Sequence, residues 1–229
     1  MRNLSVAIKY NVEMGGYIMQ KQFLEPGPVL NEKGEPIPGY STKSIRTYRR
    51  KDIKASPFRI KEWDFYQVSD KRMCLQFTVG HASYAGQVGI MFFDFAEGVK
   101  LAEKGTFLVI PFNSLHLPED AEKDHVIEFK RKAGMMRIEA KQKTRHLYFK
   151  WDDFEAEILL TRQNDNSLVI NIPFDESPKA FYYNQKINCM IAEGKVKYGD
   201  REYYFSPEDS FGILDWGRGV WPFHNEWYW

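Results

Sequence analysis

The sequence predicts an all-β protein in which antiparallel strands close into a barrel or a sandwich. Apolar and polar residues alternate with a period of two over many short segments. Residues typical of tight turns separate these segments at short, regular intervals. No segment of the 229 residues carries the 3.6-residue period of a long helix, and the aromatic content of 16% favours sheets.

The composition is that of an ordinary globular chain, with 43% hydrophobic and 28% charged residues. A net charge of +1 gives no general attraction to nucleic acid or to a membrane surface. No apolar run approaches the length of a membrane span, and the N-terminus lacks the apolar core of a signal peptide. We interpret Cys74 and Cys189, the only cysteines, as reduced core residues of a cytoplasmic protein.

Proline and glycine occur so densely in residues 1–42 that we expect an extended arm. This arm is either a disordered leader or a strap that packs along the domain. The apolar residues available to such a strap are Phe23, Leu24, Val29, Leu30 and Ile37. Residues 43–62 follow with eight basic and two acidic residues, and we expect a solvated or ion-paired face there. The alternative is a patch that neutralises an anionic group.

The predicted barrel domain spans residues 43–210, and its clearest part is a meander from Asp124 to Pro173. Residues 88–95 are apolar on both faces, which is typical of a central or cavity-lining strand. Ile187, Cys189 and Ile191 are expected on one face of a later strand. The predicted interior residues are Leu75, Phe77, Ile127, Phe129, Ile138, Phe149, Phe154, Ile158 and Ile170. Closed barrels of about eight strands hold packed side chains or one small ligand.

The common hydrolase, nucleotide-binding and zinc motifs are missing from the sequence. The five histidines have no spacing typical of metal ligands. We therefore predict no metal site and no cofactor, and no nucleic-acid partner.

Four of the six tryptophans lie within residues 211–229, a segment that either completes the barrel or starts a second one. Within it, we interpret Asp215-Trp216-Gly217-Arg218-Gly219 as a turn beside a site, because both glycines permit a sharp turn or a close approach to a ligand. Asp215 is the candidate proton donor: neighbouring indoles would raise its pKa, whereas Arg218 would oppose that effect. The candidate ligand-binding residues are Trp63, Tyr66, Trp216, Arg218 and Trp221. The alternative is a structural turn with the tryptophans in the core.

Three segments, Pro26–Gly34, Thr47–Val68 and Phe211–Phe223, resemble the family called domain of unknown function 2804. The resemblance covers about Phe23 to Trp229. That family has no assigned activity, and its members are similar, more remotely, to proteins with paired lipocalin-like barrels, among them carotenoid 1,2-hydratases and isoprenoid-handling proteins. The resemblance implies a calycin-like barrel with an apolar cavity.

Members of the family typically continue past the tryptophan-rich segment into a second barrel, while this sequence stops at Trp229. We therefore expect residues 220–229 to form a strand or arm with an unpaired edge and exposed apolar surface. Such a surface would promote homo-oligomers.

Three functional hypotheses follow. The first is a binding module that holds an apolar lipid or isoprenoid-like molecule in a barrel cavity. The second is a hydratase- or isomerase-like enzyme in which Asp215 protonates an alkene and indole faces stabilise the cation. The third is a structural protein whose aromatic end packs on another chain.

Overall fold

The computed structural model describes residues 21–224, and these residues form strands joined by turns and two short 3₁₀ turns, Arg50–Asp52 and Pro57–Arg59. The first three strands are short: β1 Gly27–Pro28, β2 Gly39–Ser41 and β3 Arg46–Thr47. Four long strands follow: β4 Ile60–Ser69, β5 Met73–His81, β6 Ala85–Asp94 and β7 Val99–Val109. The meander contains β8 His125–Arg131, β9 Gly134–Lys141, β10 Thr144–Trp151, β11 Phe154–Thr161 and β12 Leu168–Pro173. The last strands are β13 Phe181–Tyr198, β14 Arg201–Phe205 and β15 Phe211–Val220.

One antiparallel sheet contains all of these strands except β1 and β3, which pair with each other in parallel. Its main order is β7-β6-β5-β4-β15-β13-β11-β10-β9-β8, and β12 and β14 pair with the long strand β13. The contact between Phe92 of β6 and Phe154 of β11 shows that the sheet curls. Their ring centroids are 6.1 Å apart, although four strands separate β6 from β11 in the strand order. The predicted all-β, barrel-like architecture is confirmed.

The inner face of the curled sheet forms the hydrophobic core. Of the predicted interior residues, all except Ile170 are buried. In β12 the alternation runs the other way, because Val169 and Asn171 face inward and Ile170 is only half-buried. The side-chain amide of Asn171 explains this register, since it donates to the carbonyl oxygens of Val29 at 2.9 Å and Ile37 at 2.8 Å.

The prediction that both cysteines lie in the core is wrong for one of them. The pairing of β13 with β15 shifts register between Ile187 and Met190, and Cys189 lies within this irregularity with a φ of 57°. Because the bulge interrupts the alternation, Cys189 is exposed and Met190 takes the inward position. Cys74 is buried, and burial raises the pKa of its thiol to about 11.

The described part of the N-terminal arm packs along the sheet, and residues 21–49 are called the strap below. Phe23, Val29 and Leu30 are buried, whereas Leu24 is 77% exposed. The guanidinium of Arg46 lies over the ring of Phe23, 4.2 Å from its centroid. Residues 1–20 lie outside the described residues.

Candidate functional site

The segment that was predicted to turn at Gly217 and Gly219 is a continuous strand, so that prediction is wrong. β15 pairs residue by residue with β4 on one side and β13 on the other through both glycines. Gly217 makes room for a neighbouring side chain instead: a Cβ there would lie 2.2 Å from ring carbons of Trp63. The Trp63 indole therefore lies across β15 at a position without a side chain.

The alternation of these strands divides the predicted site residues between two faces of the sheet. Tyr66, Trp216 and Arg218 point inward, and each is at most 1% exposed. Asp215 and Trp63 point outward, and Trp221 lies beside Trp63 with ring centroids 5.8 Å apart. The structure thus forms two separate groups of residues rather than one cavity that contains them all.

Asp215 is 1% exposed and is held by side chains from the two adjacent strands. Lys186 of β13 forms a salt bridge with its Oδ2, and the Asn184 amide donates to its Oδ1. The Trp63 Nε1–H also points at Oδ1, with the two atoms 3.4 Å apart. The expected Asp215–Arg218 pair is not formed, because the two side chains lie on opposite faces; Lys186, directly opposite Asp215 in register, takes that place.

Arg218 is fully buried and binds groups on the inner side of the sheet. Its guanidinium donates to Asp64 Oδ1 at 2.8 Å and to the carbonyl oxygens of Trp63 at 2.7 Å and Pro118 at 2.8 Å. It also lies over the Trp216 ring, 4.2 Å from the centroid. These contacts tie the loop between β7 and β8 to the sheet.

A groove of about 810 Å³ opens on the outer face over β5, β4 and β15. Its lining is mainly apolar and consists of Trp63, Phe65, Gln67, Gln76, Thr78, Ile213 and Asp215. Gln76 donates to Gln67 across the floor at 3.0 Å. The groove therefore combines an apolar wall with a few polar groups, which is the usual composition of small-molecule sites.

An aromatic cluster continues this wall. Trp63 stacks on Tyr182 with centroids 5.8 Å apart, and Trp221 contacts Trp63, Tyr182 and Phe174. Burial, together with the charge of Asp215, raises the pKa of the Tyr182 phenol. The rings support one another and fix the position of the groove wall.

A second buried ionic cluster lies under the strap and had not been predicted from the sequence. Glu62 accepts a hydrogen bond from Tyr48 Oη at 2.7 Å, pairs with Arg50, and has His81 Nε2 at 3.2 Å. Burial alone would raise the pKa of Glu62, but the hydrogen bond from His81 and the charges of Arg218 and Arg50 lower it to about 2. The signal in the sequence was the alternation of β4, which places Glu62 on the inward face with Tyr66.

Within residues 21–224, no group of three or more His, Cys, Asp or Glu side chains is arranged to hold a metal ion. The same part of the chain has no helix that is both long and apolar enough to cross a membrane.

The fold is similar to several solved structures. CghA in complex with Sch210972 is 13% identical with a TM-score of 0.51, over 83% of this chain and 53% of that chain. CghA in a second structure is 14% identical with a TM-score of 0.52, over 85% and 55%. A putative AttH from Nitrosomonas europaea is 10% identical with a TM-score of 0.50, over 74% and 54%. The chain thus spans about half the length of these proteins, and at such identities the similarity shows the fold alone.

No curated protein sequence matches this chain. A family model described as "Domain of unknown function (DUF2804)" matches residues 20–229. The chain therefore belongs to the DUF2804 family.

Proposed function

We propose that this protein binds an apolar small molecule, of lipid or isoprenoid type, in the groove on the outer face of β5, β4 and β15. The observation that carries the proposal is the groove itself, about 810 Å³ in volume and walled by Trp63, Phe65 and Ile213. Ligand pockets usually measure about 300–1,000 Å³ and are mainly apolar with a few polar groups.

The groove is a better candidate than the inner face of the sheet, where the sequence had led us to expect the ligand. Tyr66, Phe77 and Trp216 are among the large side chains that are fully buried on the inner face. Close-packed side chains of this size occupy the space that a ligand would need. The outer groove is open and needs no rearrangement of the core.

The polar groups of the groove favour a ligand with one polar end. Asp215 lies in the groove wall, and its salt-bridge partner Lys186 is on the adjacent strand β13. Thr78, Gln67 and Gln76 line the same groove. A hydroxyl or carbonyl on an apolar chain can hydrogen-bond to these groups while its hydrocarbon part covers the Trp63 indole. This arrangement orients the ligand along the strands.

The contacts of Asp215 favour binding over the enzymatic hypothesis. Its oxygens accept hydrogen bonds from Asn184, Trp63 and the Lys186 ammonium. These contacts engage both oxygens of Asp215 with groups of the protein itself. We therefore treat Asp215 as a polar anchor of the site rather than as a general acid.

Two further parts of the proposal come from the sequence. Cys74 and Cys189 are free thiols, in line with a cytoplasmic location. Self-association through residues 220–229 stays a prediction; Val220 and Trp221 are buried, Phe223 is 92% exposed, and residues 225–229 lie outside the described residues.

Displacement of the fluorescent probe N-phenyl-1-naphthylamine by farnesol tests the binding proposal. Ile213→Gln adds a polar group to the groove wall and should weaken farnesol binding about tenfold, the effect of losing roughly 1–2 kcal/mol of apolar contact. Val126→Gln makes the same type of change at an exposed site on β8 and should have no effect. Equal farnesol affinity of wild type and both variants would exclude the groove as the site.

A further inference from the structure

A second pocket, separate from the groove, lies between the strap and the loop that precedes β8. It measures about 210 Å³ and is lined by Arg46, Tyr48, Arg49, Lys123, Tyr183 and Trp216, among others. We call it the strap pocket. Trp216 belongs to the inward face of β15, so the sheet separates this pocket from the outer groove.

Three aromatic rings form the wall of the strap pocket. Tyr48 stacks on Tyr183 with centroids 6.4 Å apart, and Trp216 meets both rings edge to face, at 6.1 Å and 5.7 Å. The Tyr48 hydroxyl donates to Glu62, and the Tyr183 hydroxyl donates to the carbonyl oxygen of Arg46 at 3.1 Å. Both phenols are thus held in place, so the wall is rigid before any ligand arrives.

Two buried donors among the lining residues lack a protein partner within residues 21–224. These are the indole Nε1–H of Trp216, a residue that is 1% exposed, and the Nε–H of Arg46. A buried N–H without an acceptor is costly, and native structures rarely leave one. An indole N–H can only donate, so the group that completes it must be an acceptor.

The charges around the pocket favour an anionic acceptor. Its lining carries three cations, Arg46, Arg49 and Lys123, against two carboxylates, which leaves a formal charge of +1. Of these cations, Arg46 and Arg49 have no carboxylate partner in a salt bridge within residues 21–224. The two acidic lining residues are already engaged: Glu119 accepts the backbone N–H of Arg50 at 2.7 Å, and Asp120 lies 3.6 Å from Lys123 and accepts the backbone N–H of Glu122 at 2.9 Å. The Arg46 guanidinium is fixed face-on to the Phe23 ring, which leaves its edge for a ligand.

We infer that the strap pocket binds a small carboxylate through the Trp216 indole N–H and the Arg46 guanidinium. A planar carboxylate matches the fork of an arginine and offers a further lone pair to the indole. The volume has room for roughly seven water-sized groups, which suits a short-chain acid and excludes the long apolar ligand proposed for the groove. The alkyl part of such an acid would lie against the aromatic wall that Tyr48, Tyr183 and Trp216 form.

Binding would link the strap to β15, since Arg46 belongs to β3 and Trp216 to β15. A ligand that binds only the folded protein raises the unfolding temperature as its concentration rises. The strap pocket would thereby couple attachment of the strap to the concentration of a small acid.

The indole N–H signals of ¹⁵N-labelled protein provide the test. The chain has six tryptophans, and comparison with Trp216→Phe identifies the signal of Trp216, while the other five serve as internal controls. We expect butyrate to shift the Trp216 signal in a saturable manner, with a Kd on the order of 1 mM as is usual for so small a ligand. Butyramide, which has the same shape without the charge, should leave that signal in place.

Arg46→Gln should weaken butyrate binding at least about tenfold, because it removes a charge-assisted hydrogen bond. Arg131→Gln removes the same charge from the end of β8, where Arg131 stacks on Phe129, and should bind butyrate as the wild type does. If no indole signal of the wild type shifts, or if both arginine variants respond equally, the inference is wrong. If Trp216→Phe does not fold, the wild-type titration and the unfolding temperatures of the two arginine variants decide the question. Ile213→Gln should not alter butyrate binding, so failure of the groove proposal and failure of this one are distinguishable.

Discussion

At the scale of single residues, Gly217 determines the position of the groove wall because the Trp63 indole lies over its Cα. Gly217→Ala would place a Cβ 2.2 Å from the indole carbons Cε2 and Cζ2. We expect the substitution to lower the free energy of unfolding by about 1–3 kcal/mol, as is typical of overpacking, and to displace the indole from Asp215. Urea denaturation measures the first effect and tryptophan fluorescence the second.

A double-mutant cycle separates this steric effect from a general effect of alanine in the strand. In a Trp63→Ala background the added methyl group has room, so Gly217→Ala should lower the free energy of unfolding less there than in the wild type. An equal cost in both backgrounds would show that the contact with Trp63 is not the cause.

Asp215→Asn tests whether the carboxylate acts as an anchor. The variant removes the salt bridge between Asp215 and Lys186 but retains one oxygen that can accept from Asn184. Since Lys186 is partly exposed, we expect a loss of about 1–2 kcal/mol in the free energy of unfolding, with farnesol binding reduced but present. Unchanged stability in urea denaturation would show that the salt bridge contributes little.

At the scale of secondary structure, Asn171 attaches the strap to β12. Asn171→Ala removes the side-chain donor to the carbonyl oxygens of Val29 and Ile37. We therefore expect the free energy of unfolding to fall by about 2 kcal/mol. Hydrogen exchange should show faster exchange for the strap amides while those of β9 and β10 keep their protection. A uniform increase throughout the sheet would instead indicate global destabilisation.

The sequence predicted those elements whose structure depends on near neighbours. The hairpins of the meander were correct because turn residues and alternation lie within a few positions of each other, as between β10 and β11. The pairing of β15 with β4 joins residues about 150 positions apart, and no local pattern indicates it. The partner of Asp215 was missed for the same reason, since Lys186 is close to it only through the register of β13.

Two other errors have local causes that alternation cannot reveal. Cys189 is exposed because a bulge shifts the phase of β13, and Ile170 is half-buried because Asn171 faces inward to bind the strap. In both places a polar residue or a bulge turns the side chain to the face opposite to the one that the alternation of apolar residues predicts.

At the scale of the whole molecule, the Glu62 cluster makes stability depend on pH. The pKa of Glu62 is about 2 in the folded protein, below its usual value of 4.5, so its contribution is complete above about pH 5 and is lost as the pH falls toward 2. The difference between these two pKa values, about 2.5, corresponds to on the order of 3 kcal/mol in the free energy of unfolding. Urea denaturation from pH 7 to pH 3 should therefore show a decrease in the free energy of unfolding, and this decrease should be smaller in Glu62→Gln than in the wild type. An equally steep loss in that variant would assign the effect to other carboxylates.

The position of β15 also has a consequence for the order of folding during synthesis. β4 to β7 form one half of the sheet and β8 to β13 the other, and β15 alone joins them in the main strand order of residues 21–224. The strand that completes the pairing of the two halves is made last, so the nascent chain carries the open edge of β4 through most of translation and that of β13 from its own synthesis until β15 follows. Both edges are central positions in the finished protein. The stretches that pair with β15 contain no proline and few charged residues, which are Lys61, Glu62 and Asp64 in β4 and Lys186 in β13, so they have little of the protection that permanent edges carry. We therefore expect the nascent protein to aggregate more readily before β15 is made than after it has paired.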